Sequence, residues 1–147
     1  MKTTRPVVIS MRLPAATGSR LKRLASARGW SNSDAGARLV EEGLRRTEFA
    51  FIDFRDSALG RQACVQGSSL AVWEVMLLLR AYHGAISAVA KHLRWPESKV
   101  HAAANYATAF PHEIEEALSD NAKVDLAALK RPLPQAEEYA TGKKSKR

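Results

Sequence analysis

The chain has 147 residues, with 23 Lys and Arg against 15 Asp and Glu, so it carries a formal charge of +8. That length suits one ordinary domain or two small ones and excludes a large multidomain enzyme. With 46% hydrophobic and 26% charged residues the chain has enough apolar material to bury a core, and its basic excess points first to an anionic partner such as nucleic acid.

The charge is unevenly placed. Residues 1–46 sum to +7, residues 47–120 to −3 and residues 121–147 to +4. Cys64 has no second cysteine to pair with, which fits a reducing, cytoplasmic compartment and leaves the thiol as a small apolar filler. The longest apolar run, Leu70 to Leu79, is interrupted by Glu74 and is far shorter than the roughly 20 residues that cross a bilayer. Arg12, Arg20, Lys22 and Arg23 break every candidate signal-peptide core.

Along the chain, Val7, Ile9, Met11 and Leu13 alternate with Val8, Ser10 and Arg12, a period of two that predicts a half-buried strand ended by Pro14. Helical spacing takes over from Ala15 to Arg28, where Leu21, Leu24 and Ala25 share a face and Gly29 supplies the stop. Ser31, Asn32, Ser33 and Asp34 offer N-caps for a second helix striped by Ala35, Leu39, Val40 and Leu44. Such a unit is too small to be stable alone and leaves a lone strand unpaired, so an obligate homodimer is expected, with the two strands forming an antiparallel ribbon.

Val7 to Pro14, the Gly29–Ser33 turn and the Ala35–Leu44 helix together resemble the ribbon-helix-helix DNA-binding domain of the CopG and Arc type. The resemblance implies that paired strands enter the major groove of double-stranded operator DNA, with Val8, Ser10 and Arg12 reading bases and Ser31, Asn32 and Ser33 holding a phosphate. Gly36 and Gly43 depart from the pattern, and each weakens its helix by about 1 kcal/mol.

The middle of the chain reads as two strands, Phe49–Arg55 and Arg61–Val65, followed by helices over Val72–Tyr82, Ile86–Leu93, Glu97–Ala109 and from Pro111 onward. Val89, Ala90, Leu93, Trp95, Val100 and Ala103 are spaced as in a helix-turn-helix. Gly60 to Val75, Ser87 to Trp95 and Val100 to Ala107 resemble the small Trp-repressor-like domain of VapB-like antitoxins that pair with PIN-like ribonuclease toxins. On that resemblance the exposed side of the Glu97–Ala109 helix, with Lys99, His101 and Asn105, is a candidate DNA or protein contact. The −3 balance favours protein.

Asn121 to Leu129 extends the last helix until Pro132 and Pro134 stop it, and the sequence closes on a basic, low-complexity end. In antitoxins of this kind a C-terminal segment covers the toxin, which makes Val124, Leu126, Leu129, Leu133 and Tyr139 candidate toxin anchors.

Enzyme signals are lacking. His83, His92, His101 and His112 are spaced nine, nine and eleven apart, unsuited to a metal pair on one helix face. Gly60 and Gly67 stand without a Walker lysine. No cofactor, metal or catalytic residue is expected.

The expected fold is therefore mainly α, with three parts: a β-α-α dimerisation domain over residues 1–47, a β-hairpin plus helix-turn-helix domain over 48–120, and a mobile basic tail over 121–147. The expected function is that of an antitoxin in a type II toxin–antitoxin system that binds operator DNA as a dimer and represses its own operon. The alternative is a stand-alone transcriptional repressor with no toxin partner.

Overall fold

The computed structural model describes residues 4–57 and 60–122. The chain divides between Glu48 and Phe49 into two units.

In the first unit, α1 (Ala15–Arg28) begins directly after Pro14. It ends in a Schellman motif: Gly29 turns left-handed at φ 66°, its N–H reaches Ser26 O at 3.2 Å, and the Trp30 N–H reaches Ala25 O at 2.9 Å. Only glycine adopts that φ without strain, so the stop is encoded in one residue. The next helix, α2 (Asn32–Glu48), starts on a cap formed by Ser31, whose Oγ accepts from the Asp34 N–H at 3.0 Å and donates to Asp34 Oδ2 at 2.7 Å. Salt bridges Glu41–Arg45 and Glu42–Arg46, one turn apart, support the second half of α2.

The α1 and α2 pair has almost no core of its own. Among its described residues only Ala25, Ala35 and Glu42 are buried. Val7, Ile9, Met11, Leu13, Leu39, Val40 and Leu44 are all exposed, and Met11, Leu13, Leu21, Leu24, Leu39 and Val40 line an open apolar groove.

The second unit is a folded core in its own right. Strands β1 (Ile52–Ser57) and β2 (Gly60–Val65) pair antiparallel from Ile52 opposite Val65 to Ser57 opposite Gly60. Four helices follow: α3 (Val72–Ala81), α4 (Ile86–Leu93), α5 (Glu97–Ala109) and α6 (Pro111–Ala122). Glu74 caps α3 by accepting from the Ala71 N–H at 2.7 Å. At the corner after α4, Arg94 sits left-handed at φ 57° while the Trp95 N–H bonds Ala90 O at 2.9 Å, and Pro96 opens α5.

One face of the hairpin (Ile52, Phe54, Ala63 and Val65) joins Val72, Val75, Val89, Val100 and Tyr106 in the core. Tyr106 is wholly buried. Its ring meets Phe49 edge-on at 5.4 Å and tilts against Phe110 at 4.8 Å, and its hydroxyl donates to Glu113 Oε1 at 2.8 Å. Cys64 is buried within β2, as the filler reading expects.

Two expectations are corrected by this architecture. The β-α-α order is absent: residues 4–14 belong to no strand, and the helices α1 and α2 precede the only paired strands among the described residues. Period-two alternation sets which side of a strand is apolar but makes a strand only when neighbouring backbone accepts its hydrogen bonds, and among the described residues β1 pairs with β2, and β2 also with Ala71 through Cys64, but neither with residues 4–14. The ribbon-helix-helix and CopG/Arc assignment does not hold for this chain.

The helix-turn-helix assignment fails for a packing reason. The helices lie where their periodicity puts them, but α5 is the central element of the unit, packed on α3, α4, α6 and β1 with Val100, Ala102, Ala103, Tyr106 and Ala107 buried. It is not a reading helix projecting from a two-helix corner. Among the described residues the fold is six helices and one two-stranded hairpin, and the Trp-repressor-like, VapB-like resemblance is withdrawn with it.

Candidate nucleic-acid interface

The first unit is the more basic of the two. Arg5, Arg12, Arg20, Lys22, Arg23 and Arg38 are all exposed, and acidic residues in 1–46 are limited to Asp34, Glu41 and Glu42. Since Glu41 and Glu42 pair with Arg45 and Arg46 at the end of α2, the uncompensated positive charge lies toward the segment before α1, along α1 and at the start of α2. In water such side chains are inexpensive to hold apart, and they exchange condensed counterions for contacts when a polyanion arrives.

The residues predicted to read bases lie before α1. Val8 is 91% exposed, and Ser10 and Arg12 are exposed with it. Ser31, Asn32 and Ser33 do stand at the start of α2, where backbone N–H groups favour an anion. Part of that capacity is already used, because the Ser31 hydroxyl is committed to Asp34 and places a carboxylate in the first turn.

A feature that spacing did not single out lies across the α1–α2 turn. The half-buried Trp30 ring carries two guanidinium groups, with Arg38 Cζ at 4.7 Å and Arg28 Cζ at 5.7 Å from its centroid. Nothing in the sequence pairs residues two and eight positions away from a tryptophan. The turn geometry fixed by Gly29 brings them together.

In the second unit, Lys99, His101 and Asn105 separate in role. His101 and Asn105 are exposed along α5 with Glu97, one turn apart. Lys99 is half-buried: its Nζ donates to Gln66 O at 3.1 Å and lies 5.7 Å from the Trp95 ring centre and 6.0 Å from that of Phe51. The ammonium thus ties α5 to the turn after β2, where Gly67 is left-handed at φ 75° and a side chain would meet Nζ at 3.3 Å. Val124, Leu126, Leu129, Leu133 and Tyr139 lie outside the described residues.

Arg55 Nε donates to Cys64 Sγ at 2.9 Å, and this bond together with attraction to the sulfur raises the guanidinium further above its ordinary value. Tyr82 Oη meets His92 Nδ1 at 2.7 Å. Among the described residues no cluster of His, Cys, Asp or Glu is arranged to hold a metal ion, and no helix is long and apolar enough to cross a membrane.

No protein-family model matches the chain, and neither a curated protein nor a solved structure matches it.

Proposed function

We propose that the chain is a dimeric, cytoplasmic DNA-binding repressor that also neutralises a ribonuclease toxin, with the first unit on operator DNA and the second unit on the protein. The observation that carries the DNA half is the charge division: +7 in residues 1–46, where Arg5, Arg12, Arg20, Lys22, Arg23 and Arg38 are exposed, against −3 in residues 47–120. A polyanion is attracted to the first and repelled by the second. Arg12 is the favoured base reader, because an exposed guanidinium offers the paired donors that fit guanine O6 and N7.

Dimerisation follows from the missing core of the first unit. Two helices burying only Ala25, Ala35 and Glu42 do not offset their conformational entropy, whereas a second copy seated on the exposed apolar face supplies the absent partner. The toxin-neutralising half rests on less, namely the −3 balance of residues 47–120, which suits protein better than phosphate.

Gel-shift titration over a salt series tests the DNA half. Specific binding weakens steeply as salt rises, and Arg12→Ala removes the preference for operator over random sequence. An unchanged preference refutes Arg12 as a reader. Co-expression with the product of the neighbouring reading frame tests the antitoxin half: rescue of a growth defect supports it, and a neighbour that is harmless alone leaves a stand-alone repressor.

A further inference from the structure

We propose that the second unit receives its protein partner at the corner formed by Phe51, Trp95 and Lys99, and that the partner places an acidic side chain there beside an apolar one. The proposal rests on the reading that this unit contacts protein. Lys99 is half-buried, with Nζ 5.7 Å from the centre of the Trp95 ring and 6.0 Å from that of Phe51, and it donates to Gln66 O at 3.1 Å. An ammonium has three N–H donors, and among the described residues that carbonyl is its one acceptor. Two donors remain for water or a ligand. The rings steady the charge without accepting strong hydrogen bonds, so a carboxylate arriving here meets a cation less screened than one on an open surface.

Charge favours an acidic occupant. The −3 balance of residues 47–120 is unevenly spread, because residues 83–96, which lead up to α5, hold Lys91 and Arg94 and no acid. Glu97 lies two positions from Lys99, about 200° round the helix, and so belongs to the other stripe with His101 and Asn105. The backbone points the same way. Phe51 is left-handed at φ 60°, where glycine would avoid the clash that a Cβ brings. Its ring is nonetheless 37% exposed, and with Leu77 it is one of two large apolar side chains so exposed among the described residues of this unit. A bulky ring held in a strained position and left in water does little for the core, whereas an exposed ring beside a tryptophan suits the anchor of an interface. Gly67 keeps the surroundings of the ammonium open, since a Cβ there would meet Nζ at 3.3 Å. A phosphate would satisfy Lys99 alone, but an acid with an apolar neighbour uses the rings as well.

Panning a library of random short peptides on the full chain, with Lys99→Met as the counter-selection, tests the corner. Peptides that bind the chain and are lost on Lys99→Met are expected to pair Asp or Glu with a neighbouring apolar residue, and changing that acid to its amide weakens them about tenfold in fluorescence polarisation. Phe51→Gly relieves the left-handed backbone and removes the ring. It is expected to leave the thermal melt near its original value while weakening the same peptides about two- to fivefold, a split that a purely structural Phe51 does not give. Lys22→Gln, the same loss of charge in the first unit, is the control and leaves peptide binding unchanged. Selected peptides that lack an acid, that bind Lys99→Met and Phe51→Gly as well as the unaltered chain, or that weaken equally on Lys22→Gln overturn the proposal. So does a library that yields no binder, or a Lys99→Met chain that loses affinity for duplex DNA and not for peptide. The toxin reading fails separately. Peptides that select this corner, in a chain whose neighbouring gene product is harmless, keep the corner and refute the toxin; a toxin neutralised equally by the unaltered chain and by Lys99→Met refutes the corner alone.

Discussion

Ile9→Ala probes the surface on which the proposed dimer depends. The side chain is 76% exposed in the single chain. Truncation to alanine removes roughly three methylene-sized groups worth about 0.8 kcal/mol each on burial. Scaling by the exposed fraction gives about 1.8 kcal/mol per copy, and symmetry counts the loss twice, for about 3.6 kcal/mol per dimer. That corresponds to a dimer constant weakened by a few hundredfold. Sedimentation equilibrium over a concentration series reads this directly. The reasoning fails if the unaltered chain is monomeric at tens of micromolar, roughly the range in which even weak homodimers form. It also fails if Ile9→Ala leaves the dimer constant unchanged.

Three further outcomes are expected. A Cβ at Gly18 or Gly36 meets nothing within 4 Å in the single chain; Gly18→Ala should therefore stabilise α1 by up to about 1 kcal/mol in thermal melts, whereas Gly36→Ala, which adds bulk to the apolar groove, should weaken the dimer by sedimentation. Tyr106→Phe removes the hydroxyl that donates to Glu113, and because Glu113 keeps partial access to water the loss in urea unfolding should be about 1–2 kcal/mol, against about 3–5 kcal/mol for Tyr106→Ala. Lys99→Met keeps the long stem and loses the bond to Gln66 O; it should cost about 1 kcal/mol of second-unit stability and leave DNA affinity unchanged, and a fall in DNA affinity would instead place Lys99 on DNA.

The elements most legible in the sequence are those whose ends are set by nearby residues. Gly29 after α1, the Arg94–Trp95–Pro96 corner and Pro111 at the start of α6 each act within a turn of the chain, so Ala15–Arg28, Ile86–Leu93 and Glu97–Ala109 lie where periodicity places them. The hairpin is shifted toward its turn, with β1 beginning at Ile52 because Phe51 is left-handed at φ 60° and breaks the run from Phe49. What failed was non-local. A strand over 7–13 depends on a partner strand that the alternation itself cannot supply, and the role of α5 depends on how many neighbours surround it, which spacing does not encode. The site divides the same way. Exposed Arg12 and the Ser31 cap follow from composition and position, while the Arg28–Trp30–Arg38 contact and the inward turn of Lys99 arise from side chains meeting across turns.

The exposed run from Val7 to Leu13 has a consequence for the life of the protein in a cell. A newly made copy that has not met another presents an apolar, irregular stretch near its N-terminus, the kind of segment that chaperones and processive proteases engage first. In the proposed dimer a second copy covers it, and that handle is gone. Turnover would then slow as synthesis rises, giving the protein a threshold: scarce copies are cleared, and abundant ones persist.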